Sequence, residues 1–154
     1  MHKLIGLIAV VVVAACGNKS DKGGGAAETE TVALADTGYV IDVPKGTTVE
    51  VPMKGFYSFK GARGMPQVLD SPGARSPDDI ANAECEGRTD VKKEKLANGA
   101  AVTCKGPSKM LQGVTTTKIL VDIAREPSGG FLCHLETDQD PSFALGICKS
   151  IRKK

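Results

Sequence analysis

The clearest pattern in the chain is an alternation of apolar and polar residues, which is typical of β-strands. Ile119, Val121 and Ile123 alternate strongly, and Leu120 and Ala124 make the opposite face apolar as well. A strand that is apolar on both faces is expected at the centre of a sheet. Shorter alternating runs predict further strands at residues 39–43, 49–53 and 131–135, with a shorter apolar segment at 56–59.

Turn residues separate these strands. Asn98-Gly99 stands between two alternating runs and predicts a two-residue hairpin. The segment 127–130, Pro-Ser-Gly-Gly, turns the chain between two later strands. Residues 61–77 are rich in glycine and proline and indicate a long connection, with a short strand at 67–69.

Two segments carry helix signals. The first helix is expected to begin after Ser76, which can serve as its N-cap, with Pro77 at the first helical position. Two aspartates follow, where the positive end of a helix favours acidic residues, and the helix is expected to continue to about Cys85. A second helix is expected to begin near Asp140 and Pro141. Its apolar residues recur at the helical spacing i, i+3, i+4 and i+7, at Ala144, Ile147, Cys148 and Ile151. Four cations lie near its C-terminal end, at Lys149, Arg152, Lys153 and Lys154.

This order of elements predicts an α+β fold, an antiparallel sheet with helices packed against it. The strand Tyr39–Pro44, the hairpin at residues 95–99 and the closing segment Cys148–Arg152 resemble the PsbP-like α/β/α sandwich family over residues 38–153. The resemblance implies a non-enzymatic binding or assembly-supporting domain. It carries over no functional residue, and Gly46-Thr47-Thr48 stands where the family often has an aromatic residue.

The first residues have the organisation of a secretory signal. Met1-His2-Lys3 is positively charged, and residues 4–15 form a mostly apolar run too short to span a bilayer, which takes roughly 20 residues. The run ends in Val13-Ala14-Ala15-Cys16, which resembles a bacterial lipobox. Residues 1–15 are therefore expected to be removed and Cys16 to be lipidated. The alternative is an ordinary signal peptide that contains a cysteine.

Residues 16–31 are predicted to be the lipidated cysteine and a flexible tether, because no large apolar side chain lies between Gly17 and Thr31. Residues 32–154 are predicted to form a single domain. Gly17 follows the anchor where a retention-type aspartate might have stood, so in a Gram-negative cell the pattern favours the periplasmic side of the outer membrane. The expected partners are the membrane, through the lipid, and an unknown envelope protein or ligand.

Charge and composition restrict the functional classes. The chain of 154 residues has 20 basic and 18 acidic side chains, and 41% of its residues are hydrophobic. A wholly disordered chain would be less apolar. Nucleic-acid binding would need a basic stripe that this balance does not supply, so no nucleic-acid partner is expected.

Four cysteines remain in the domain, and an even number in an exported protein predicts two disulfides. Three pairings are open, and sequence order favours Cys85–Cys104 and Cys133–Cys148. The first pair joins the predicted first helix to the hairpin, and the second joins a strand to the terminal helix. Redox catalysis or zinc binding would need closer spacing, and no two of these cysteines are nearer than 15 positions.

His134 is the only histidine after the signal sequence, and acidic residues follow it at positions 136, 138 and 140. On a strand, His134 and Glu136 share one face, opposite Cys133 and Leu135. The histidine and the nearby carboxylates suggest a metal site. The same residues are explained more simply as the polar face of a strand that leads into a capped turn. No Gly-x-Ser-x-Gly motif marks a nucleophile. We therefore assign no catalytic residue, metal site or cofactor.

The sequence favours a cell-envelope lipoprotein with a non-enzymatic binding or assembly-supporting domain. The alternative is a small exported enzyme with a carboxylate/His site, which a concave pocket holding His134 with two carboxylates would favour. A thiol oxidoreductase is the third hypothesis, and this activity would require exposed sulfur atoms.

Overall fold

A computed structural model describes residues 28–61, 64–108 and 112–154. The predicted signal peptide, Cys16 and the tether up to residue 27 lie outside the described residues. The strands within the described ranges are β1 Thr29–Leu34, β2 Tyr39–Pro44, β3 Thr48–Met53, β4 Phe56–Lys60, β5 Gln67–Ser71, β6 Thr89–Leu96, β7 Gly99–Pro107, β8 Thr115–Ala124, β9 Gly130–Thr137 and β10 Arg152–Lys153. The helices are α1 Pro77–Glu84 and α2 Ser142–Lys149.

The strands form two antiparallel sheets. The large sheet has the order β3-β4-β5-β9-β8-β7-β6, and the small sheet has the order β1-β2-β10. β8 lies inside the large sheet between β7 and β9, which confirms the central position expected from its two apolar faces. The hairpin between β6 and β7 is also present. Its turn residues are Ala97 and Asn98, because Gly99 already pairs with Leu96.

The main core lies between one face of the large sheet, the small sheet and α2. Ile119, Val121 and Ile123 of β8 point into it together with Ile41 of β2 and Ile147 of α2, and all are buried. The Cys133–Cys148 disulfide joins β9 to α2 inside this core. Helix α2 is therefore fixed over the face of the large sheet that lines the main core, as expected for this disulfide pairing.

A second, smaller core lies on the opposite face of the large sheet, beneath α1. Ile80 of α1 packs with Val102 of β7 and Leu120 of β8, and all three are buried. The Cys85–Cys104 disulfide fixes the C-terminal end of α1 to β7. Both predicted disulfide pairings are thus confirmed.

The predicted α+β fold with packed helices is wrong. Strands contain 53% of the described residues and helices only 13%, so the molecule is mainly β-sheet. Helix α2 ends at Lys149, and Arg152 and Lys153 pair with β2 instead of extending a helix. The periodicity of the last segment is helical only up to Cys148. Beyond it, pairing with an open strand edge provides the hydrogen bonds that another helical turn would have provided.

The N-terminal boundary also differs from the expectation. β1 begins at Thr29 and pairs with β2 along its whole length, from Thr29↔Pro44 to Leu34↔Tyr39. Residues 29–31 are polar and largely exposed, which is why their sequence resembles a tether. An edge strand tolerates such residues, since one side of it faces solvent.

Candidate functional site

The candidate site is a cleft on the α1 side of the large sheet, where α1 ends and β5 and β9 continue uncovered. The cleft has a volume of about 490 Å³. It is lined by Met65, Gln67, Glu84, Lys118, Leu120, Leu132, His134, Leu135 and Glu136. Its apolar part consists of leucine and methionine side chains, and its polar part consists of two carboxylates, an ammonium group, an imidazole and an amide.

His134 and Gln67 lie next to each other in the cleft. They are directly paired across β9 and β5, and His134 also pairs with Leu120 of β8. His134 is half-buried and Gln67 is exposed. Burial lowers the pKa of His134 below its ordinary value, and the positive charge of Lys118 lowers it further against the opposing effect of Glu84. His134 is therefore neutral at pH 7, with one ring nitrogen able to donate a hydrogen bond and the other able to accept one.

A series of ion pairs connects α1 to the sheet at the edge of the cleft. The Lys118 ammonium donates to the Glu84 carboxylate at 2.6 Å and to the Glu84 carbonyl oxygen at 3.4 Å. Arg75 lies 3.5 Å from Glu84 and donates from Nε to Asp122 at 2.7 Å. The hydrogen bond from Lys118 is the largest effect that holds the pKa of Glu84 below its ordinary range. Glu84 is thus an ionised, fully engaged carboxylate.

Glu136 is engaged in a similar way. Arg88 Nη2 donates to Glu136 Oε1 at 3.1 Å, and the Thr116 hydroxyl donates to the same oxygen. Burial has the largest single effect and raises the pKa of Glu136, but these two hydrogen bonds and the positive charges of Arg88 and Lys118 together outweigh it, so the pKa is lowered. The Arg88 side chain is only 8% exposed, and its buried Nη1 atom has no hydrogen-bond partner among the described residues. A cation held this deeply beside Glu136 keeps that carboxylate ionised.

The structure brings together part of the predicted acidic cluster. His134 and Glu136 share a face, as expected, with Cys133 on the other side in the main core. Asp140 instead accepts a hydrogen bond from the Ser142 backbone at the start of α2, and Asp138 is exposed in the turn. The second carboxylate in the cleft is Glu84. Across the described ranges, no group of three or more His, Cys, Asp or Glu side chains is arranged to hold a metal ion.

Sequence reasoning missed Glu84, Lys118 and Gln67. They are 50, 16 and 67 positions from His134, on α1, β8 and β5. No local spacing connects them, because Gln67 and Lys118 reach the cleft through the register of the sheet and Glu84 reaches it through the packing of α1 on the sheet. The available signal was Lys118, a charged residue beside the segment 119–123 of the central strand, which is apolar except for Asp122.

A larger cleft of about 710 Å³ lies at one end of the molecule, among the loops that follow β1, β3 and β8. Three of its charged groups are in ion pairs, since Arg125 Nη1 lies 3.2 Å from Asp70 Oδ1 and Glu126 is paired with Lys153. Arg125 also stacks over the Phe131 ring at 5.2 Å. These contacts hold turns in place, whereas the His134 cleft has neutral polar groups above an apolar floor.

The cysteines form no reactive site in the described part of the chain. Cys85, Cys104, Cys133 and Cys148 are all in disulfides, and each is at most 5% exposed. Thiol exchange requires access to a sulfur atom. The oxidoreductase hypothesis requires exposed sulfur atoms, and none is present among these residues.

Within the described ranges, neither helix has the length and apolar character that crossing a membrane requires. In comparisons with known proteins, no family model, no curated protein sequence and no solved structure matches the chain.

Proposed function

We propose that the chain is a cell-envelope lipoprotein, anchored through Cys16, whose domain binds another envelope component through the His134 cleft. The lipobox-like segment ending at Cys16 supports the anchor, and the two disulfides are typical of an exported protein. In a Gram-negative cell the domain would lie on the periplasmic side of the outer membrane. The expected activity is binding or support of assembly, not catalysis.

One observation carries the binding proposal: the α1-side face of the large sheet is only partly covered. α1 packs on β6 and β7, while Phe56, Leu69 and Leu132 remain partly exposed on the same face. Antiparallel sheets often leave one face to water, but such a face is usually polar. An apolar face that continues into a cleft with polar edges is typical of a binding surface.

The electrostatics of the cleft support binding over catalysis. A carboxylate that acts as a general acid needs a pKa near the working pH. Glu84 and Glu136 have lowered pKa values because each is bound by cations or hydrogen-bond donors. Both are therefore ionised at neutral pH and serve to hold α1, β8 and β9 together.

A small exported enzyme remains the second candidate, because the concave cleft does hold His134 with two carboxylates. In such an enzyme the neutral imidazole of His134 would act as a general base. The test is hydrolysis of chromogenic ester, phosphate and glycoside substrates by wild type and His134→Gln. Turnover that is lost in the variant would establish this function. Absence of turnover by the wild type would exclude an enzymatic function for these substrate classes.

The binding proposal is tested by photocrosslinking in intact cells with the full chain. A benzophenone amino acid is placed at the position of Gln67 in the cleft, or at the exposed edge residue Lys92 as a control. We expect one discrete adduct from position 67, none of the same mass from position 92, and loss of the adduct when Leu132→Lys is added. Equal labelling from both positions, or none from position 67, would contradict binding through the cleft.

A further inference from the structure

We infer that the His134 cleft accepts an uncharged apolar side chain together with its neighbouring peptide group, presented by a partner polypeptide. This inference rests on the proposed binding function and specifies the chemistry of the occupant. It follows from the apolar floor of the cleft, the internal pairing of its charges and the two neutral polar side chains above the floor.

The floor of the cleft is aliphatic. Leu120 is buried at its base, and Leu132 and Met65 are partly exposed beside it. None of the described lining residues is Phe, Tyr or Trp, so the imidazole of His134 is the one ring that the lining offers to a stacking nucleobase, and the rest of the floor favours an aliphatic group. An aliphatic side chain placed here would remove its own surface and the exposed surface of Leu132 and Met65 from water, which is favourable in proportion to the apolar area buried.

The charges of the cleft are already paired with one another. Lys118 is bound to Glu84 at 2.6 Å, and Glu136 is bound to Arg88 at 3.1 Å. A charged ligand would lose its own hydration and would meet no unpaired opposite charge among the described lining residues in exchange. The cleft is therefore complementary to an uncharged occupant.

His134 and Gln67 provide the specificity for a peptide group. No side-chain hydrogen bond joins either residue to another described residue, and the two are direct cross-strand partners, whose Cβ atoms are typically about 5 Å apart. Each side chain can both donate and accept when the imidazole is neutral. A peptide group, with one N–H and one C=O, can bond to both of them at once.

The inference is tested by NMR titration of the domain with three probes that share the leucine side chain and differ in charge. The probes are N-acetyl-leucinamide (neutral), N-acetyl-leucine (anionic) and leucinamide (cationic). We expect the neutral probe to shift the Leu120, Leu132 and Met65 methyl signals, with a dissociation constant on the order of millimolar for a ligand of this size. The charged probes should bind at least about fivefold more weakly, the factor that corresponds to one hydrogen bond or a modest desolvation penalty.

A pair of matched variants tests the role of the amide. Gln67→Leu keeps the size of the side chain but removes its hydrogen bonds, and we expect about fivefold weaker binding of N-acetyl-leucinamide. The same change at the exposed turn residue, Gln139→Leu, should leave the affinity unchanged. Equal effects of both variants, or no effect of either, would overturn the role of Gln67 and with it the peptide-group proposal.

The outcomes separate this inference from the proposed function. Tighter binding of a charged probe, or of methyl glucoside in a fourth titration, overturns the peptide-group chemistry while the cleft remains a binding site. No binding of any probe, together with an adduct from position 67 in cells, overturns the inference alone. No binding of any probe and no adduct from that position overturn both.

Discussion

At the scale of single residues, the cleft depends on polar side chains that cross between elements. Asp122 is the most deeply placed of them, with 1% of its side chain exposed, and it is bound by Arg75 through Nε and the backbone N–H. Sequence alone indicated that residues 119–123 form a buried strand. It could not show that the carboxylate in that strand has a cation from the loop before α1 as its partner.

We expect Asp122→Ala to lower the free energy of unfolding by about 1–3 kcal/mol, because Arg75 loses its principal acceptor. The Arg75 side chain is 34% exposed and can regain water, which favours the lower part of this range. Urea denaturation monitored by circular dichroism measures the change. Asp138→Ala, on the exposed turn, is the matched control and should change the value by less than about 0.5 kcal/mol. Equal values for both variants would contradict the role given to Asp122.

His134 should make the stability of the domain depend on pH. Its folded pKa is lowered, chiefly by burial, below the ordinary value of 6.5. Above that pH the imidazole is neutral in both states, and as the pH falls through 6.5 the unfolded chain binds a proton before the folded domain does. Stability is therefore lost as the pH falls from 6.5 to the folded pKa.

The measurement is urea denaturation of a fragment beginning at Glu28, between pH 7.5 and 5.5, where His134 is the only histidine. The carboxylates titrate mainly below this range. The wild type should lose stability across it, and His134→Gln should show a flatter profile. A wild-type profile as flat as that of the variant would show that burial does not lower this pKa.

At the scale of elements, strands with regular alternation were predictable, whereas strands stabilised mainly by their partners were not. Residues 119–123 of β8 are buried on both faces and all but Asp122 are apolar, so the position of this strand follows from its own sequence. β1 and β10 are short or polar, and both exist because β2, whose residues are nearly all buried, offers them an edge on either side. The helix content was overestimated for the same reason, since the segment after Lys149 pairs with β2.

Residues 28–31 should contribute to stability, although they resemble a tether. The Glu28 carbonyl accepts from Lys45 N at 2.8 Å, Glu30 accepts from Gly46 N at 2.7 Å, and the Thr31 hydroxyl donates to Asp42 at 2.6 Å. A fragment that begins at Val32 loses these bonds, and we expect it to be roughly 1–3 kcal/mol less stable than one that begins at Glu28. Equal thermal midpoints for the two fragments would place the domain boundary at Val32.

The same distinction applies to the candidate site. His134 and Glu136 are two positions apart on one strand, so their shared face was predictable from the sequence. Glu84 reaches the cleft because the Cys85–Cys104 disulfide and the Ile80 contacts place the end of α1 over β7 and β8. Such a long-range arrangement has no signature in the local pattern of residues.

At the scale of the whole molecule, the features form one consistent arrangement. Two disulfides fix a helix on each face of the large sheet, one over the main core and one over only part of the opposite face. The open part of that face contains the cleft. Residues 17–27 would connect this domain to a lipid on Cys16, so the cleft would act at the membrane surface.

The mass of the mature N-terminal peptide, isolated from cell membranes, tests the central claim that this is a membrane-anchored envelope protein. We predict that the peptide begins at Cys16 and carries a diacylglyceryl group, since two or more acyl chains give stable anchoring. Cys16→Ser should lack the lipid, and any exported and cleaved material should appear in the soluble fraction. An unmodified N-terminus, or one at a residue other than Cys16, would contradict the anchor and the location proposed for the domain.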